Sequence, residues 1–238
     1  MANNYPVILS VLTGSRAYGL ARADSDWDIR AVHVKPTSEL LSIGPTEKIE
    51  PAEEHEGNDY VSIEVGRFLQ LSANSNPTIL EMYMAPTLFK PPYIPSEKSF
   101  TWGVALAHMF DDVWDGNKAY QAYLGYASAQ RDRLFKRETT VLKVNKLAIA
   151  WLRTLEQGAM LFNHGRFTLD VKTYLTGNTL RKWQYMEERL KLSDIVPVVE
   201  PAEQRLHEAY KSSSYKEKKP DWEHINEFLL RIRKAYWE

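Results

Sequence analysis

Two short patterns near the start of the chain carry the residue types that phosphoryl chemistry needs. The first is Gly14-Ser15-Arg16-Ala17-Tyr18-Gly19, which follows the apolar run Val7 to Leu12. An apolar run ending in Gly-Ser reads as a buried strand turning into a helix N-terminus. There, free backbone N–H groups and a hydroxyl are placed to receive phosphate oxygens. The second pattern is Ser25-Asp26-Trp27-Asp28-Ile29-Arg30. On a strand, residues two apart share a face, so Asp26 and Asp28 can bridge divalent cations. Two Mg²⁺ ions roughly 3.5–4 Å apart serve in-line displacement at phosphorus, with Mn²⁺ as the alternative ion. A third carboxylate from a neighbouring strand completes such a site, and Asp59 and Glu64 are the two candidates. A Gly-Ser turn or an Asp-x-Asp pair alone is commonplace. Their joint order on two strands is far more specific.

Further residues could serve the same chemistry. Lys146 and Arg153 lie seven apart, which keeps them on one helical face. Facing the Gly-Ser turn they would grip a triphosphate, Arg bidentately and Lys as a point charge; the alternative is a solvated face. Arg16 and Arg30 flank the candidate site and would touch phosphate or pair with the Asp residues. Glu81 is either a site acid or a surface acid on a helix, and Tyr18 either stacks on a base or packs in the core. The six histidines form no ligand pair and read as structural or surface residues.

The elements that must position these residues follow from periodicity. Val7–Leu12, Trp27–Val34 and Asp59–Val65 read as strands, the second with Ile29 and Ala31 on one face and Asp26, Asp28 and Arg30 on the other. Helical spacing starts at Arg67, and Asn76-Pro77 predicts a helix start. Residues 35–58 read as loop. Four prolines, Pro86, Pro91, Pro92 and Pro95, suggest a boundary, giving domains over 1–95 and 96–238. Beyond it the pattern is helical over roughly 99–112, 116–135, 138–162 and 178–191. A last helix follows, capped by Asp221, with Trp222, Ile225, Leu229, Ile232 and Tyr236 as its apolar stripe. Trp102, Trp114, Trp151 and Trp183 are expected in the helical core.

Composition excludes several classes. The 238 residues are 44% hydrophobic and 26% charged, as in ordinary globular proteins. Absence of Cys removes disulfides, thiolate catalysis and Cys-ligated zinc, leaving oxygen or imidazole ligands for any metal. No apolar run approaches the roughly 18 residues that would cross a bilayer, and the first residues lack the pattern of a signal peptide. A cytoplasmic protein without membrane partners is expected. A net charge of −1 argues against a nucleic-acid coat, yet it hides a net of −6 over residues 1–64 and +5 over 131–153. An acidic half and a basic segment suit an anionic ligand held through cations, and equally suit self-complementary packing.

Gly14-Ser15 with Asp26-x-Asp28 resembles the signature of the DNA polymerase β-type nucleotidyltransferase superfamily. More narrowly, the run from Gly14 to Arg30 resembles the RlaP/YcgL-type predicted nucleotidyltransferases linked to RNA repair. The segment Asp59 to Leu69, the helix Asn76-Pro77-Thr78-Ile79-Leu80-Glu81 and the stretch Lys146–Arg153, with Gly158 and Gly165-Arg166, are similar to that group's later segments. Where its helical region often carries His, this chain has Leu147 and Ala150. The likeness spans about residues 1–170. It implies an α+β fold: a small mixed sheet with flanking helices, then a helical C-terminal domain. It implies metal-dependent transfer of a nucleoside monophosphate from an NTP, ATP or CTP foremost, to a hydroxyl, with release of pyrophosphate. Gly14, Ser15 and Arg16 would hold phosphates; Asp26 and Asp28 would hold the ions. The resemblance favours Asp59 as third carboxylate, because the similar segment begins with an Asp there. An RNA or tRNA end is the acceptor implied. Two other classes stand beside this one: a protein-AMPylating enzyme, and a non-catalytic nucleotide-binding module, against which the intact Asp-x-Asp argues.

Overall fold

The computed structural model describes residues 5–43, 53–55, 58–88, 96–134, 141–175 and 190–238. Strands β1 (Val7–Thr13), β2 (Asp28–His33), β3 (Glu53–His55) and β4 (Asn58–Glu64) form one sheet in the order β1-β2-β4-β3. β1 and β3 run antiparallel to their neighbours, whereas β2 and β4 are parallel, so the sheet is mixed. The helices are α1 (Gly14–Ala17), α2 (Thr37–Leu41), α3 (Val65–Ala73), α4 (Pro77–Met84), α5 (Glu97–His108), α6 (Phe110–Val113), α7 (Gly116–Leu134), α8 (Val141–His164), α9 (Leu192–Ser212) and α10 (Trp222–Ala235). The fold is α+β, as expected.

Packing divides the chain into two compact units: Met1–Asn74 with Thr78–Trp114 and Lys219–Glu238, and Ser75–Pro77 with Asp115–Lys218. The boundary expected at residue 95 therefore falls inside the first unit. Two long-range attachments explain this. Helix α5 lies against β1 so closely that a Cβ on Gly103 would stand 1.9 Å from the Ile8 carbonyl oxygen. Helix α10 returns to the sheet unit, where the Thr37 hydroxyl donates to the Arg233 carbonyl at 2.7 Å and the Thr37 N–H to that of Tyr236 at 2.8 Å.

Within that unit, Ile8, Leu9 and Val11 of β1 and Ile29, Ala31 and Val32 of β2 are buried. The outer edge of β1 would expose unpaired backbone, a liability for any edge strand. Residues 86–88 cover it: the Leu12 N–H donates to the Pro86 carbonyl at 2.9 Å, and the Leu88 N–H to the Ser10 carbonyl at 2.8 Å. Asp221 caps α10, its carboxylate accepting from the His224 N–H at 3.0 Å. Ile225, Phe228 and Ile232 of α10 and Tyr236 just after it are buried; of the other residues expected in that stripe, Leu229 is half-buried and Trp222 exposed.

The second unit is built on α8. Its Val144, Ala148, Trp151, Leu152 and Leu155 are buried, as are Tyr123 and Ala127 of α7 and Ile195, Val199, Ala202, Leu206 and Ala209 of α9. Helix α9, which contains Pro197 and Pro201, was not among the helices expected from the sequence. Each interior proline costs about 3 kcal/mol through a lost hydrogen bond and a ring clash. Burying each large apolar side chain gives about 1.5–3 kcal/mol, so Ile195, Val199 and Leu206 together offset a cost of that size.

Smaller departures also have local causes. Helix α3 begins at Val65 rather than Arg67, because the Glu64 carboxylate caps it, accepting from the Gly66 N–H at 2.7 Å. The helix expected over 99–112 is broken at Met109 into α5 and α6. The region 35–58, expected as loop, contains α2 and β3. Most of the helix expected at 178–191, with Trp183, lies outside the described residues. Trp114 and Trp151 are core residues, as expected.

Candidate active site

Strand β1 ends at Thr13, whose hydroxyl donates to the Asp28 carbonyl at 3.1 Å across the antiparallel pair Thr13↔Asp28. The start of β2 is thereby fastened beside the end of β1. The next residue, Gly14, has φ +67°, a left-handed conformation that costs little only for glycine. A Cβ there would lie 1.7 Å from Asp28 Oδ2 and 2.8 Å from Asp28 Cβ. The Asp28 carboxylate thus occupies the space that the absent side chain of Gly14 leaves open. Two motifs that are separate in the sequence meet at this contact.

Helix α1 is a single turn. Gly19, with φ +71°, ends it, and the Leu20 N–H donates back to the Ser15 carbonyl at 2.9 Å. From that turn Arg16 reaches the loop before β2. Its Nε donates to the Asp26 carbonyl at 3.2 Å, one terminal nitrogen donates to the Ser25 carbonyl at 2.6 Å, and the guanidinium lies 4.5 Å from the centre of the Trp27 ring. Arg16 therefore braces the Asp26 loop. Ser25 tightens the same loop by accepting from the Arg22 N–H at 2.8 Å. Asp26 precedes β2 instead of lying on it, and is exposed; Asp28 is half-buried at the first position of the strand. The expected strand begins one residue later than its alternation suggested. Arg30 is half-buried on β2.

The two candidate third carboxylates have different surroundings. The register pairs Ile29 with Tyr60 and Arg30 with Val61, so Asp59, one residue earlier, follows the alternation of Asp28. Asp59 is exposed. Glu64 alternates with Tyr60 and Ser62 on the other face, and its carboxylate is engaged twice. Besides capping α3 it forms an ion pair with Arg233 at 2.6 Å, with both side chains mostly buried. His33, the register partner of Glu64, bonds through Nδ1 to the Ser62 hydroxyl at 2.7 Å. Burial pushes the His33 pKa below the usual imidazole value, opposed by Glu64 and assisted by Lys35 and Arg233.

Glu81 is buried, not a surface acid: the Tyr18 hydroxyl donates to its Oε2 at 2.8 Å, tying the chain after α1 to α4. Its neighbours Ile79, Leu80 and Met82 are buried with it. Trp27 has no such cover and keeps 42% of its surface exposed between the two aspartates. Lys146 and Arg153 belong to the second unit. On α8, Lys146 is exposed, while Arg153 is partly covered and lies 3.4 Å from Gln157 Oε1.

The donor chemistry fits a hard divalent cation. Asp26 and Asp28 offer carboxylate oxygens at the mouth of β2, Asp28 is held in the cradle left by Gly14, and no thiol competes. Among the described residues, no three His, Asp or Glu side chains form a metal-holding cluster.

A mixed sheet whose first strand runs into a Gly-Ser turn and whose second opens on the paired aspartate defines an α+β nucleotidyltransferase fold. Residues 1–231 match the family model RlaP, described as the RNA repair pathway DNA polymerase beta family, and the chain belongs to that family. A search of curated proteins returns no match. Membership implies a DNA polymerase β-type nucleotidyltransferase acting in RNA repair, with an NTP substrate and a nucleic-acid acceptor. No helix among the described residues is long and apolar enough to cross a membrane.

Proposed function

We propose that the protein transfers a nucleoside monophosphate from an NTP, ATP or CTP foremost, to a hydroxyl at the end of an RNA, tRNA included. The observation that supports this most is the seating of Asp28 over Gly14, which brings the Gly-Ser turn beside one carboxylate of the Asp-x-Asp pair. The Gly14 and Ser15 N–H groups and the Ser15 hydroxyl receive the β- and γ-phosphates. Arg16 serves first by holding the Asp26 loop in place. Asp26 and Asp28, with Asp59 from the adjacent strand, would hold Mg²⁺ or Mn²⁺. When bound, these ions neutralise the triphosphate and lower the pKa of the attacking hydroxyl.

The hydroxyl oxygen attacks the α-phosphorus and forms the new P–O bond. Its proton passes to a carboxylate, for which Asp59 is assigned, and the bond to the β-phosphate oxygen breaks in line. Pyrophosphate leaves with that electron pair. Positioning and electrostatics supply the catalysis, with no covalent intermediate. Lys146 and Arg153, on α8 of the second unit, remain candidates for charge-assisted hydrogen bonds to an anion.

The direct test screens the four NTPs with pooled small RNAs and reads pyrophosphate release. Metal-dependent release that needs both RNA and Asp28 is expected. Labelled ATP that modifies protein and leaves RNA untouched would replace the RNA acceptor with a protein. Nucleotide binding without any pyrophosphate release would leave a binding module.

A further inference from the structure

Trp27 is the residue at the candidate site that the mechanism leaves unused. It sits between Asp26 and Asp28, with 42% of its surface in water. Tryptophan presents a large flat apolar face suited to contact with a ligand, and here that face stands on a braced loop beside the two aspartates. The brace is specific. The Arg16 guanidinium stacks 4.5 Å from the indole centre while two of its nitrogens are anchored on the Ser25 and Asp26 carbonyls. One side of the ring is therefore backed, and the plane is held within one residue of both aspartates.

The surroundings restrict what could lie on it. Asp26 and Asp28 make this mouth of the sheet acidic, which disfavours a bare anion on the indole. A nucleobase is flat, neutral and aromatic, so it stacks on tryptophan without meeting that repulsion. We propose that Trp27, backed by Arg16, is a stacking platform for a nucleobase at the reacting end of the substrate. This inference rests on the nucleotidyl-transfer reading above and adds the means by which a base would be held. The base belongs to the NTP or to the terminal nucleotide of the acceptor, and the two sources can be told apart.

The test uses the full chain with Trp27→Ala, Trp27→Leu and Trp27→Phe. Affinity is measured for ATP and for inorganic tripolyphosphate, which shares the charge and lacks the base. It is also measured for a short single-stranded oligoribonucleotide ending in adenosine, and for the same oligomer with an abasic end. Ala and Leu should weaken binding of ATP, or of the adenosine-ended oligomer, by about 5- to 160-fold, the range for loss of one base–aromatic stack. Tripolyphosphate and the abasic oligomer should be unaffected, and Phe should restore most of the loss. Weakening confined to ATP assigns the base to the NTP; weakening confined to the oligomer assigns it to the acceptor. Equal weakening of ATP and tripolyphosphate would show that Trp27 only shapes the phosphate site and overturn the proposal. Unchanged affinity for every probe would also overturn it. A wild-type chain that binds none of the probes would overturn both this inference and the function it rests on.

Discussion

Replacing Gly14 with alanine puts a methyl group where the Asp28 carboxylate now sits. Two costs can be worked from the geometry. At φ +67° an alanine backbone is left-handed, which costs about 1–2 kcal/mol. The new Cβ would stand 1.7 Å from Asp28 Oδ2, 2.5 Å from its Cγ and 2.8 Å from its Cβ. Rotation of the Asp28 side chain clears the first two contacts but not the third, so part of a typical overpacking cost of about 1–3 kcal/mol remains. The variant should be less stable by about 2–4 kcal/mol and should still fold. Its carboxylate, however, must leave the site, and a displacement of this kind should lower turnover by about 10²-fold or more.

The assay pairs urea denaturation with NTP-dependent pyrophosphate release. The double variant Gly14→Ala/Asp28→Ala separates the causes. Removing the carboxylate deletes the two closest contacts, so the double variant should be more stable than Gly14→Ala although it is inactive. A coupling of that sign marks direct contact between the two residues. Gly14→Ala with wild-type stability and turnover would refute the reasoning.

Further outcomes are expected. Asp26→Asn and Asp28→Asn should each lower pyrophosphate release by about 10²-fold or more while the fold survives, since each removes a charge that the ions require. Asp59→Asn should abolish transfer and keep NTP binding. Glu64→Gln should instead cost about 1–3 kcal/mol of stability, read by denaturation, because it loses an enclosed ion pair with Arg233 and weakens the α3 cap; activity lost only in Glu64→Gln would reverse the assignment. Lys146→Ala and Arg153→Ala should weaken NTP binding by about 1–3 kcal/mol each in a titration, and unchanged affinity in both would return them to a solvated face. His33 is held neutral by burial, so the unfolded chain binds its proton more readily. That contribution to stability is present above the ordinary imidazole value of 6.5 and declines as pH falls below it; His33→Asn should flatten this part of a stability–pH profile.

The braces around the site share one character. Thr13 fastens the two strands, Arg16 fastens the Asp26 loop, and Tyr18 fastens the chain after α1 to the buried Glu81. Each joins residues from different elements through a hydrogen bond to a carbonyl or carboxylate. Precise placement of Asp26 and Asp28 thus depends on side chains that need touch no substrate.

Local spacing alone was enough to reveal the Gly14-Ser15 turn, the alternation of β2, the start of α4 at Pro77 and the Asp221 cap of α10. These features depend on residues within a few positions of each other, where backbone preference and periodicity act directly. The α+β class and the family likewise follow from motifs readable along the chain. Tertiary structure decided the rest. Glu64 caps α3 locally, but its ion pair with Arg233 depends on α10 approaching from the far end of the chain. Glu81 looks like a surface acid until Tyr18 meets it. Helix α9 runs through Pro197 and Pro201 because its buried stripe packs against α8. The expected boundary at residue 95 lies within one packed unit because α5 and α10 pack onto the sheet. In each case the deciding energy comes from a partner distant in sequence, whose approach is set by packing rather than by any local pattern.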